Sequence, residues 1–149
     1  MSIQEEAGLI LRLYELRRED TMRKARNWFA REFNPQSMAD FNSAFFGAQT
    51  GYLRMVYTYW DMAAALVNNG AISLQLFNDT NGEHILAFSK LDPILGEIRA
   101  AFGPGFLANL EKLIDATPDG RKRVAAMREG MKAALAQIAA AEQAKAAQT

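Results

Sequence analysis

Apolar residues recur at three- and four-residue spacing along nearly the whole chain, and no segment alternates convincingly with period two. That pattern predicts helices and no strands. A first helix over 3–18 sets Leu9, Leu13 and Leu16 on one face, with Ile10 and Tyr14 beside it. Asp20 is placed to cap a second helix over 21–33, where Met22, Ala25, Phe29 and Phe33 repeat. Asn34-Pro35 stops that helix, because the residue before proline avoids the helical region. Ser37 followed by Asp40 resembles a capping box for a third helix over 38–46. Ser73 caps a short helix over 74–78. The stripe Phe88, Leu91, Leu95, Ile98, Phe102 stays in phase over 83–102. That segment is either one helix kinked at Pro93 or two, with Asp92 capping the restart. A helix over 106–115 follows, and Thr117-Pro118 starts the last one. It carries Val124, Met127, Met131, Leu135 and Ile138 before an Ala-rich end, 133–149, expected either to fray or to pack on a partner helix.

The segment GYLRMVYTYWDMAAALVNNG, residues 51–70, predicts the central helix, 52–68, with Asn69-Gly70 as its left-handed stop. At about 100° per residue it divides into three strips. Leu53, Val56, Tyr57, Trp60, Ala64 and Val67 form one apolar face; Tyr52, Met55, Tyr59, Met62 and Leu66 form a second. A helix so widely apolar touches several neighbours. The remaining strip holds Arg54, Thr58, Asp61, Ala65 and Asn68. Arg54 and Asp61 stand two turns apart and cannot pair with each other. If the strip is covered, Asp61 needs a partner from elsewhere, and Arg23, Arg26 and Arg99 are the candidates.

These elements describe an all-α fold: one helical bundle spanning 1–149, of about six to eight helices. A chain of 149 residues, half of them hydrophobic, is long enough for a real core. Lys+Arg and Asp+Glu are each 17, so the net charge is zero. Neutrality supplies no global field for nucleic acid or an anionic membrane, and little repulsion against self-association. The acidic, interrupted N-terminal stretch does not read as a signal peptide, and no apolar run reaches the ~18 residues of a membrane span. The expectation is a soluble, cytoplasmic chain with no membrane insertion.

There is no cysteine, which removes disulfides, thiolate catalysis and Cys-based metal sites. His84 is the only histidine, too few for a zinc or di-iron constellation, and no Gly-x-Ser-x-Gly elbow supports a catalytic triad. In phase with Phe88 and Leu91, it reads as a packed residue with a satisfied ring. No phosphate-binding glycine motif is present, and NDTNGEHILAF puts Phe77 and Phe88 where a calcium loop needs carboxylates. No catalytic residue, metal site or cofactor is assigned. The basic cluster at 17–26 is diluted by Glu19 and Asp20, and the one at 120–128 belongs to a modest patch, net +3 from residue 118 onward, without the aromatic or groove-fitting elements that nucleic-acid binding wants.

Two stretches, LRLYELRREDTMRKARNWF and YWDMAAALVNNGAISLQLF…ILAFSKLDPILGEIR, resemble an uncharacterised bacterial family of helical domains. The shared features are a Leu/Arg-rich first helix, the turn Gly70-Ala71-Ile72, the Leu91-Asp92-Pro93 break and Arg99. The resemblance covers about the first two thirds of the chain. It implies an all-helical fold and supplies no activity or site residues; some members carry membrane helices ahead of the domain.

The leading functional expectation is a non-enzymatic protein-interaction or scaffold module, forming a homodimer or binding a protein partner. The alternative is a small-molecule pocket around Tyr59 and Trp60, with Tyr52, Tyr57, Asp61 and Arg54 as ligand-binding residues. Buried phenols and an indole N–H need hydrogen-bond partners, which a ligand could supply. A nucleic-acid module using the two basic clusters ranks third.

Overall fold

The computed structural model describes residues 2–149. Among these residues nine α-helices follow one another: α1 (Ile3–Arg18), α2 (Asp20–Arg31), α3 (Met38–Phe45), α4 (Thr50–Asn68), α5 (Leu74–Thr80), α6 (Glu83–Leu91), α7 (Leu95–Phe102), α8 (Ala108–Ala116) and α9 (Gly120–Ala147). Among the described residues there is no strand. The stripe over 83–102 is interrupted rather than kinked: a 3-10 turn, Asp92–Ile94, separates α6 from α7, with Pro93 near its start. Proline lacks the N–H that would carry the α6 ladder through this point.

Most helix ends follow the local chemistry. Ser37 and Ser73 each accept an N–H from the third residue on, Asp40 and Leu76. Asp40 returns the favour one residue earlier than a capping box does, accepting from Gln36 N–H at 2.8 Å. Gly70 takes φ +85°, and Ala71 N–H reaches back to Leu66 O at 2.9 Å, closing α4 with a left-handed stop. Asp20 does not cap α2. Glu19 does, its carboxylate accepting from both Thr21 and Met22, because its longer side chain reaches the first turn from one residue earlier.

α4 is the axis of the molecule and packs against α2, α3, α5, α6 and α8. Its first apolar face is wholly buried; on the second, Tyr59 is buried, Tyr52 and Met55 are half-buried and Met62 is exposed. Tyr57 meets Phe29 edge-on at 5.8 Å, and Tyr59 meets Trp60 edge-on at 4.8 Å. Such pairs add about 0.5–1.5 kcal/mol beyond area burial. α6 lies between α4, α8 and α9, and seven of its nine residues are buried.

α9 is seated by its start. Gly120 is buried, and a Cβ there would stand 1.9 Å from the Ile114 carbonyl oxygen of α8. Arg121 binds Asp115 at 2.7 Å and Glu111 at 2.9 Å, and its side chain is 46% exposed. Solvent screening makes it an orienting clamp rather than a large source of stability.

Candidate functional site

The structure places the six sequence-predicted residues differently from one another. Tyr57 is buried and donates its hydroxyl to Ala87 O at 2.9 Å. Tyr59 donates to Leu13 O at 2.7 Å. Both phenols are therefore committed to backbone carbonyls of neighbouring helices. Burial raises both pKa values, that of Tyr59 to about 12 against the opposing pull of Arg17 and Arg26. Trp60 is fully buried, with no acceptor for its indole N–H. Tyr52 is half-buried against Trp28, and Arg54 is exposed on the far side of the helix. Among the six, Tyr59 edges a surface recess, an open apolar groove of about 420 Å3 that Leu16, Met22, Met55 and Met62 also line.

Asp61 is covered, and its partner is not an arginine. Its carboxylate accepts Leu110 N–H at 2.9 Å and Asn109 Nδ2 at 3.1 Å. Leu107, at the start of α8, has φ 54°, a left-handed conformation unfavourable for a side-chain-bearing residue, and offers no capping side chain. A carboxylate from α4 therefore caps α8, meeting one of its free backbone N–H groups, that of Leu110, and the positive end of its dipole. Asn68 extends the join, donating to Asn109 O at 2.9 Å. So α8 covers the lower half of the polar strip, while Arg54 and Thr58 stay exposed.

His84 is packed, as its phase implies, but its ring is not satisfied. It is 0% exposed, lies 4.9 Å from the Phe77 ring and 5.6 Å from Trp60, and neither ring nitrogen has a partner. Burial, with Arg123 and Arg17 nearby, lowers its pKa to about 4. The aromatic walls offer no acceptor, so the imidazole is neutral and stands in for an apolar ring.

Two features lie outside the predicted site. The first is Lys90, 6% exposed on α6. Its ammonium donates to Phe29 O at 2.6 Å, in the last turn of α2, and to Phe33 O at 2.8 Å, two residues past its end, and sits 4.4 Å from the Phe29 ring centre. Burial lowers its pKa to about 8 against the opposing effect of Glu83. The signal for this in the sequence is weak: Lys90 stands between Phe88 and Leu91, both on the predicted apolar stripe.

The second is the far half of α9. Val124 is buried, Met127, Met131 and Leu135 are half-buried, and every residue from 136 onward is exposed, Ile138 by 54%. The stripe that seats α9 on α6 thus continues past the body of the molecule. Where it leaves, a small notch of about 40 Å3 opens, lined by Asn34, Gln36, Lys90, Arg128, Lys132 and Leu135 among others. It has three cationic walls and no carboxylate lining it. Arg128 spends Nη1 on Ser89 O at 2.7 Å, and Lys132 meets Glu129 at 3.4 Å in an exposed pair.

Among the described residues no three His, Asp or Glu side chains gather closely enough to hold a metal ion, and no helix is long and apolar enough to cross a membrane. Helical packing around a buried aromatic axis defines an all-helical domain. Residues 2–117 match the model of a family described as a domain of unknown function (DUF4760), and the chain belongs to that family. The matched segment ends at Thr117, so α9 lies beyond it. No curated protein and no solved structure matches the chain.

Proposed function

We propose that this protein is a non-enzymatic helical interaction module that associates with itself through the distal half of α9. The supporting observation is the stripe Met131, Leu135, Ile138, which runs off the folded body into solvent on an unbroken helix. A helical end rich in alanine is marginal alone in water, and packing against another helix gives it a reason to stay ordered. Zero net charge leaves little long-range repulsion between copies. The small-molecule reading draws less support, because the Tyr57 and Tyr59 hydroxyls already have backbone partners. In the basic cluster at 120–128, Arg121 is held by Asp115 and Glu111, which leaves a smaller patch for nucleic acid.

Sedimentation velocity over a hundredfold concentration range tests the reading. The full chain is expected to move from monomer to dimer, and Ile138→Asp, which buries a charge in the contact, to stay monomeric. A wild-type chain that remains monomeric throughout, or an Ile138→Asp chain that dimerises as well as wild type, overturns it.

A further inference from the structure

The α9 wheel carries information about how two copies would meet. Met131, Ala134, Leu135, Ile138 and Ala141 all lie within about 60° of Ile138 around the helix. Arg128, Lys132, Leu135 and Glu142 lie together toward one side of that stripe. In a parallel pair identical residues stand level. Glu142 would then face Glu142, Lys132 would face Lys132, and alanines would face alanines, leaving gaps. In an antiparallel pair with its two-fold near residues 136–137, large residues meet small ones. Met131 meets the partner's Ala141, and Ala134 meets the partner's Ile138. Alternation of large and small is what lets two helices interdigitate. That register brings Glu142 within about 3 Å along the axis of the partner's Lys132, on the same flank, beside the notch of Lys90, Arg128 and Lys132, which no carboxylate lines.

We propose that two copies of this chain pair through antiparallel distal α9 helices, with Glu142 of each seated at the partner's Arg128–Lys132 notch. The inference rests on the self-association proposed above and adds orientation, register and the specifying contact. The charges are complementary only in this direction. The notch is three-sided in cations, and Glu142 is the one acidic residue of α9 beyond Glu129. Glu142 is exposed and has no ion-pair partner among the described residues, so pairing does not cost it an existing contact there. A helix pair over residues 131–147 is about 25 Å long, which puts the interface at the small end of stable ones. The dimer is therefore weak and concentration-dependent.

Charge exchange and cross-linking test this together, with helical content followed by circular dichroism. Glu142→Lys and Lys132→Glu are each expected to weaken dimerisation roughly tenfold, two symmetric exposed contacts being lost per dimer. The double variant is expected to return to within about twofold of wild type. Because the chain has no cysteine, single substitutions give clean cross-links. Gln137→Cys, near the two-fold, is expected to join two chains through a short bismaleimide; Lys145→Cys, about 25 Å from its mate, is not. Efficient cross-linking at 145 means a parallel pair and overturns the proposal. A dimer indifferent to both charge variants removes the Glu142 contact while leaving self-association standing. A chain that is monomeric under all conditions removes the underlying reading as well.

Discussion

Replacing Asp61 by alanine should destabilise the fold substantially through α8. The substitution removes two acceptor bonds, at 2.9 Å to Leu110 N–H and 3.1 Å to Asn109 Nδ2. Loss of a capping side chain costs about 0.5–2 kcal/mol, and a helix N-terminus deprived of a negative charge loses about 0.3–1 kcal/mol more. These overlap, because one carboxylate supplies both, so the expected total is about 2 kcal/mol. For a chain of this size that lowers Tm by about 4–8 °C. Asp61→Asn separates the two effects. It keeps an acceptor for Leu110 N–H and loses the charge, for about 1 kcal/mol, and this deficit should shrink in 1 M salt as the dipole interaction is screened. Urea unfolding followed at 222 nm, with hydrogen exchange at residues 108–112, reads both stability and location. An Asp61→Ala chain within about 0.5 kcal/mol of wild type, with unchanged exchange at the start of α8, would refute the capping role.

Three further perturbations probe the buried polar groups and the α9 seat. His84 has a folded pKa near 4 against an ordinary 6.5, so its contribution is complete above 6.5 and is lost as pH falls toward 4, about 3 kcal/mol in all. His84→Phe should flatten that acid slope and stabilise the protein by about 1 kcal/mol at pH 7, since two unpaired ring nitrogens leave the core; an unchanged slope contradicts this. Lys90→Met leaves the Phe29 and Phe33 carbonyls without their donor and should cost about 2 kcal/mol, with faster exchange at the end of α2. Because the folded pKa of Lys90 lies below its unfolded value, wild type should gain stability relative to Lys90→Met as pH rises from 8 to 10.5, which alkaline urea titrations check. Gly120→Ala drives a Cβ into a backbone oxygen and should cost about 2–3 kcal/mol; a neutral result in thermal melts would mean that α9 is not seated as described.

Hydrophobic spacing made the helices legible, because burial on one face leaves a 3.6-residue imprint whatever the tertiary partners are. Proline, glycine and serine marked most of the ends for equally local reasons. The failures concern groups whose role depends on what lies across the interface. The helical wheel sets Asp61 on a polar strip, yet its partner is a helix start with no side-chain signature of its own, since Leu107 is not a capping residue. Sequence points to an arginine instead, because charge pairing can be read from composition and backbone N–H groups cannot. Lys90 reads as a surface lysine until three-dimensional packing brings the end of α2 over it. For His84 the sequence indicated burial but not the absence of a hydrogen-bond partner, which depends on Trp60 and Phe77 closing round it. The candidate site was legible only as a stripe. Met131, Leu135 and Ile138 were visible as a pattern, but not that the body ends beneath them.

The claim at the centre of this account is that the exposed end of α9 is held by a second chain. Amide exchange of residues 136–147, measured at a few micromolar and again at several hundred micromolar, tests it directly. Protection that rises with concentration in this segment, while α4 stays unchanged, is the predicted result. Rapid exchange at both concentrations would show a helix end with nothing to hold it, and would contradict the account.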